Sequence, residues 1–315
     1  MTDTDTNVAP EREPVGLIGL GAMGLPMAHC LLRAGFTLTV APHTNRAPAD
    51  ELAAAGATVV DTPRQVAAAS TVVITCVPDS PQVEEAVLGH DGVLAGARPG
   101  TVLIDMSTIA PSATRRLGAA LGRRGVDMLD APVSGGPARA VDGSLTIMVG
   151  GDPETFVRCR PVLAALGRQI THVGPLGSGE TLKMVNQLMI GVIMLANAEG
   201  LALGRKAGLP LDTLREVLGT ASASNYLLST WLPKTAFTGG YGGGFALDLM
   251  LKDLRIALSE AEALGVPTLG SALAYQLFRL LLLEGHGRDD YSVLLSWWEE
   301  AAGVRIAEPP GGAPS

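Results

Sequence analysis

The stretch VGLIGLGAMGLPMAHCLLRAGFTLTV, residues 15–40, constrains the fold more than any other part of the chain. An apolar strand leads into Gly19-Leu20-Gly21-Ala22-Met23-Gly24, then a helix with apolar spacing, then Gly35 and a second apolar strand. Each glycine in such a turn has its own task. The first permits a tight turn, the second lets the backbone approach a pyrophosphate, and the third lets the helix pack close. The helix then aims its unpaired N–H groups at the phosphates. The G-x-G-x-x-G spacing is weak by itself. Here it follows a strand and opens a helix inside one βαβ unit, so Gly19, Gly21, Ala22, Met23 and Gly24 are candidates for holding a dinucleotide. A purely structural glycine turn is the alternative.

Further strand-like runs follow at 57–60, 71–77, 101–107, 127–133 and 144–150, the early ones separated by helix-like stretches. This alternation predicts a mostly parallel sheet covered on both faces, the doubly wound α/β architecture called the Rossmann fold. After the second strand the chain reads Ala41-Pro42-His43-Thr44-Asn45-Arg46, with no carboxylate until Asp50. A site for NAD places Asp or Glu there to take the ribose hydroxyls, whereas a 2′-phosphate calls for polar and basic residues. The cofactor expected is therefore NADP rather than NAD, with His43, Thr44 and Arg46 as candidate contacts. A solvated loop with its arginine outward uses the same residues.

Beyond Gly174 the strand signals fade, and apolar-periodic stretches appear at about 178–207, 211–220, 246–264, 268–284 and 290–302. An all-helical domain over 176–303 is expected after an α/β domain over 15–175, with disordered tails at 1–14 and 304–315. The first helix is apolar nearly all round, which demands burial and predicts a homodimer or homotetramer. Lys183 and Asn186 interrupt it, three apart and so on one face. At the end of the nucleotide domain they are expected to face a cleft, where desolvation would lower the lysine pKa from about 10.4 towards a range useful for proton transfer. A salt-bridged lysine and an interhelical asparagine would have the same spacing.

The net charge of −8 argues against general attraction to nucleic acid or anionic membrane, and a small-molecule partner is expected. The apolar run Leu188 to Ala196 is too short for a bilayer. Three scattered cysteines make neither a disulfide framework nor a metal cluster, and the acidic N-terminus is the wrong chemistry for a signal or transit peptide. A cytoplasmic protein without a metal is the expectation.

Four blocks in order resemble the β-hydroxyacid dehydrogenase family, which includes 3-hydroxyisobutyrate dehydrogenases and tartronate semialdehyde reductases. They are GLIGLGAMGLPMA (16–28), DAPVSGGPARAVDGSLTIMVGG (130–151), GPLGSGETLKMVNQ (174–187) and LDLMLKDLRIA (247–257). The resemblance implies that Lys183 is the general acid/base and that Asn186 holds substrate and lysine in register. It places the substrate carboxylate on Ser134, Gly135 and Gly136, chemistry that a hydroxyl and glycine-exposed amides suit. It also implies that Val77, Pro78 and Thr108 line the nicotinamide side and that Lys252 returns to the cofactor. Phe245 is a candidate pocket wall, or core packing. The implied reaction is hydride transfer between a nicotinamide and a short 3-hydroxy acid. The competitors are an imine reductase, against which Lys183 argues, and a non-catalytic dinucleotide sensor.

Overall fold

The computed structural model describes residues 13–307 and falls into two units, Met1–Leu182 and Lys183–Ser315. The division comes later than the 175/176 boundary expected, because the first turn of the long helix is tied to residues of the first unit. The expected tails lie outside the described residues at 1–12 and 308–315. Their inner ends are held. The Pro14 carbonyl accepts from the Thr71 N–H at 3.0 Å, and Arg158 Nε lies 3.0 Å from Glu13 Oε1. Ile306 is fully buried and its N–H donates to Glu299 Oε1 at 2.7 Å. An apolar side chain at 306 thus brings into the core a segment whose neighbouring prolines and glycines had suggested disorder.

In the first unit the strands are β1 Val15–Ile18, β2 Leu38–Ala41, β3 Thr58–Val59, β4 Val72–Thr75, β5 Val102–Asp105, β6 Asp127–Asp130, β7 Val133–Ser134, β8 Leu145–Gly150 and β9 Gly167–Gly174. The helices between them are α1 Gly24–Arg33, α2 Ala47–Ala54, α3 Pro63–Ala68, α4 Ser80–Leu88, α5 Val93–Gly96, α6 Pro111–Gly122, α7 Gly136–Asp142 and α8 Pro153–Ala164. The sheet runs β3-β2-β1-β4-β5-β6-β8-β7, with β9 beside β8. Strands β1 to β6 are parallel, whereas β8 runs antiparallel to β6 and β7.

Alternate residues of these short strands enter different cores, as period-two geometry requires. Leu17, Ile74, Ile104 and Leu129 join Met27 and Leu31 of α1 on one face. Ile18, Val73 and Leu103 join Val66, Val83 and Leu117 on the other. Burial on both faces explains why the strands read as continuous apolar runs. Strand β9, which the sequence reading missed, is the exception. Its run GRQITHVG is mixed in polarity and mostly half-buried or exposed, and backbone pairing with β8 defines it.

Helix α9, Ser178–Lys206, begins in the first unit and continues into the second. There it is followed by α10 Leu211–Thr220, α11 Leu247–Ala263, α12 Leu269–Leu283 and α13 Leu294–Ala302, with irregular helical turns over 227–238. The core of this helical unit gathers Met194, Leu201, Met250, Leu254, Phe278 and Leu294. Gly204 lets α9 approach α10, since a Cβ there would stand 2.8 Å from Leu214 Cδ2. By length and mean hydropathy, 1.4 over its most apolar window, α9 could cross a membrane, contrary to the sequence reading. Half of that window is buried inside the protein, as in a core helix. Helix α12 exposes Leu269 (85%), Leu273 (54%) and Leu283 (77%). Cys30 and Cys159 are buried and Cys76 is half-buried, all three unpaired by disulfides. Burial pushes the Cys159 thiol up to about 12.

Candidate active site

Strand order reverses between β1 and β4, and the crevice beyond the carboxyl ends of such strands is where open α/β sheets bind ligands. Gly19 follows β1 directly and adopts φ +99°. A Cβ there would strike the Cys76 carbonyl and come within 2.9 Å of Val77 Cγ1, so the glycine turn and the loop after β4 are in contact. A Cβ at Gly24 would strike the Gly19 carbonyl, which lets α1 start hard against the turn. Gly21 differs: nothing lies within 4 Å of a Cβ built on it. Two glycines therefore serve the protein's own packing and the third leaves open space over exposed backbone, the cradle a pyrophosphate requires. The residues present fit a dinucleotide.

The neighbouring loops are fixed from beneath. Ser107 Oγ accepts from the Val77 N–H at 3.0 Å, joining the loop that carries Val77 and Pro78 to the one that carries Thr108. Under both lies Asp105, fully buried, whose Oδ1 accepts from Thr75 Oγ1 at 2.8 Å and from the Ser107 N–H at 3.2 Å. Its Oδ2 is buried without a hydrogen-bond partner, and desolvation holds the carboxyl above its ordinary range. His43, Thr44 and Arg46 are exposed on the loop between β2 and α2. Arg46 Nε lies 3.2 Å from Asp50 Oδ1, a solvent-exposed i,i+4 pair.

Ser134 ends β7, and Gly135 and Gly136 follow at φ +133° and +68°. Two successive positive φ values turn the backbone sharply at the start of α7. The Arg139 stem folds back over this turn, its Cδ 2.5 Å from where a Gly135 Cβ would stand. That brings a guanidinium to the loop proposed for a carboxylate, a cation the sequence reading passed over.

Asp130 was also missed, although it opens the second block. Its Oδ1 accepts from the Gly177 N–H and its Oδ2 from the Glu180 N–H, both at 2.8 Å. A buried carboxylate thus caps the first turn of α9, where unpaired N–H groups favour negative charge. Burial raises its pKa against the lowering effect of those amides.

One turn further along α9, Lys183 is 7% exposed and Asn186 is half-buried. Asn186 Nδ2 donates to Gln187 Oε1 at 2.9 Å, and Gln187 Nε2 donates to Asp253 Oδ2 at 2.6 Å. Lys252 Nζ lies 2.8 Å from Asp253 Oδ1. The orientation there gives a contact of opposite charges rather than an aligned hydrogen bond. The side chains of Lys252 and Asp253 are only 14% and 3% exposed, so this is no solvated surface pair. The helical unit therefore connects two of its candidate residues, Asn186 and Lys252, through Asp253, expected beside Lys252 to stabilise the local geometry, and Gln187, for which the sequence suggested no role. Phe245 packs edge-on to Tyr291, and its N–H donates to Asp290 Oδ2 at 2.7 Å. Asp290 also accepts from Trp231 Nε1 at 3.1 Å and from the Ser292 N–H at 3.0 Å. Among the described residues no group of three or more His, Cys, Asp or Glu could hold a metal ion.

Residues 14–174 match the model of the NAD binding domain of 6-phosphogluconate dehydrogenase. Residues 177–298 match that of the NAD-binding domain of NADP-dependent 3-hydroxyisobutyrate dehydrogenase. The chain is 40% identical to 2-(hydroxymethyl)glutarate dehydrogenase of Eubacterium barkeri, over 93% of this chain and 97% of that protein. It is 41% identical to the NAD-dependent L-serine dehydrogenase of Pseudomonas aeruginosa, over 92% and 99%. The solved 3-hydroxyisobutyrate dehydrogenase of Mycobacterium tuberculosis with L-serine is 32% identical and superposes with a TM-score of 0.84, covering 90% of this chain and 98% of that one. With a glycine turn shaped for a dinucleotide, a buried lysine on α9 and matches along nearly its whole length, the chain belongs to the β-hydroxyacid dehydrogenase family of NAD(P)-dependent oxidoreductases.

Proposed function

We propose that the protein interconverts a short 3-hydroxy acid and its semialdehyde, with Lys183 as general acid/base. The observation that carries this is a lysine 7% exposed, one turn from Asn186, on a helix whose start is anchored by Asp130. The nicotinamide, when bound, takes or gives the hydride. In oxidation the neutral Lys183 amine accepts the hydroxyl proton as the carbon loses hydride and the C=O bond forms. In reduction the Lys183 ammonium returns that proton to the oxygen and steadies the charge developing on it. Ser134 and the amides of Gly135 and Gly136 hold the substrate carboxylate, with Arg139 as counter-charge. An imine reductase is disfavoured because Lys183 occupies the acid/base position.

NADP is proposed as the preferred cofactor on the strength of His43, Thr44 and Arg46 and the lack of a carboxylate before Asp50. A homodimer or homotetramer is proposed from the exposed leucines of α12, an apolar face that suits a second copy, and a cytoplasmic location from the scattered cysteines, none of them in a disulfide. A monomer by light scattering would refute the assembly. The reaction is tested by following the nicotinamide absorbance with 3-hydroxyisobutyrate, glycerate, serine and 4-hydroxybutyrate, for wild type and Lys183→Ala. A folded Lys183→Ala protein is expected to lose turnover by roughly 10²–10⁴-fold. Turnover indifferent to Lys183 would sink the mechanism.

A further inference from the structure

We infer that the Asp253 carboxylate, acting through Gln187, sets the polarity of the Asn186 amide, so that Asn186 presents an acceptor oxygen that holds Lys183 by one of its N–H bonds and aims it at the reacting hydroxyl. The inference rests on the proposed roles of Lys183 and Asn186 and adds Gln187 and Asp253 as positioning residues.

The direction of the chain follows from what each group can do. An ionised carboxylate accepts and never donates. Asp253 is 2% exposed and has the Lys252 ammonium 2.8 Å from its Oδ1. Its other oxygen, Oδ2, stands 2.6 Å from Gln187, the short distance of a charge-assisted bond. Gln187 must turn its NH₂ to that oxygen, since the reversed amide would set oxygen against oxygen. The Gln187 carbonyl is then left for Asn186, which meets it with Nδ2 at 2.9 Å. The same argument applies again: one N–H of Nδ2 bound to Gln187 fixes which way the Asn186 amide is turned, and its Oδ1 then faces away from Gln187 as an acceptor. Gln187 is 1% exposed, so water has little access to relax a reversed arrangement.

The reacting hydroxyl has one proton, which in oxidation must point at the Lys183 lone pair, so an acceptor at Asn186 serves by holding Lys183 through an N–H and leaving that lone pair towards the substrate. A donor there would instead bind a carbonyl oxygen and compete with Lys183. The chain thus separates two tasks on one helix: Lys183 moves the proton, and Asn186 orients the group that carries it.

The test pairs whichever of 3-hydroxyisobutyrate, glycerate, serine and 4-hydroxybutyrate the wild type turns over with the analogue lacking its reacting hydroxyl: isobutyrate, lactate, alanine or butyrate. Calorimetric affinities for the two, measured without turnover, give a ratio that reports the hydroxyl contact alone. Gln187→Met keeps the shape but cuts the chain, and the ratio is expected to fall about tenfold, the scale of one lost hydrogen bond. kcat should drop with it, and the melting temperature should fall as well because Asp253 Oδ2 loses its buried partner, so the ratio and not the stability reads the chain. Asp253→Asn leaves Gln187 free to face either way, so the ratio falls there too. The double variant Gln187→Glu with Asp253→Asn reverses donor and acceptor at the first link, because Asn at 253 donates to Glu at 187, which still accepts from Asn186. Both ratio and kcat should recover towards wild type, which a merely structural role would not give. Gln187→Met with an unchanged ratio, or a double variant no better than the worse single one, overturns the chain while Lys183→Ala still stands as the test of the reaction. A wild type that turns over none of the four acids overturns both readings.

Discussion

The glycine turn of the first unit and the polar chain of the second both fix where a polar atom stands, by opposite means. Between β1 and α1 the backbone does it: Gly19 at φ +99° and Gly24 against the Gly19 carbonyl leave no room for a Cβ. Between α9 and α11 the backbone is ordinary helix and side chains do it, with Gln187 bridging Asn186 and Asp253. At Gly19 and Gly24 the turn tolerates no added carbon. The chain has room for an isostere and none for a change of donor into acceptor. Backbone-built sites are broken by volume and side-chain-built sites by polarity.

The largest effect should come from breaking the turn. Gly24→Val is expected to abolish detectable cofactor binding or folding, as seen by nicotinamide fluorescence and circular dichroism, because the clash is with backbone. Gly21→Ala sharpens the contrast. Its Cβ meets nothing in the protein, so the melting temperature should hold, within about 0.5 kcal/mol in stability, while cofactor affinity falls roughly tenfold. Equal loss of stability in both would show that Gly21 is a packing glycine.

A smaller effect tests whether buried charge or buried shape matters beneath the cofactor loops. The Asp105 carboxyl holds its proton more tightly folded than unfolded, because burial disfavours the charged form. Between the ordinary carboxylate pKa and the raised folded value the folded protein binds more protons than the unfolded chain, so stability falls as pH rises through that window. Below the window the difference vanishes. Asp105→Asn stays neutral and should lose part of that decline in urea unfolding measured against pH. An unchanged slope would mean that Asp105 titrates alike in both states.

The smallest effect belongs to Arg46. Its pair with Asp50 has both side chains 63% exposed, so Arg46→Ala should change stability by no more than about 0.5 kcal/mol. The ratio of NADP to NAD affinity should nevertheless fall. An unaltered ratio would return the loop to a solvated role and remove the support for NADP.

What was legible in the sequence follows the same division. The turn could be read because Gly19, Gly21 and Gly24 lie within six residues and a single rule governs them. Strands β1, β4 and β5 announced themselves as apolar runs because both faces are covered. Strand β9 carried no such signal, since hydrogen bonds to β8 define it and its side chains do not. Lys183 and Asn186 stood out as polar residues three apart in an apolar helix, and Lys252 through resemblance. Gln187 did not, because what gives it meaning is Asp253, 66 residues away. Its signal was faint but present: four residues after Lys183 on a helix, a glutamine shares the lysine's buried face. Asp130 was hidden in the same way, its partners Gly177 and Glu180 lying 47 and 50 residues on.

The state of the three thiols has a practical consequence. Cys30 and Cys159 are shut in the core with raised pKa values, so at neutral pH neither offers a thiolate to an alkylating reagent. Cys76 is the least buried of the three, half-buried against the edge of the same core, and its own carbonyl sits against Gly19. Any maleimide labelling of the native enzyme is therefore expected to fall first on Cys76, beside the dinucleotide turn, where its rate with and without cofactor would read occupancy without an engineered probe.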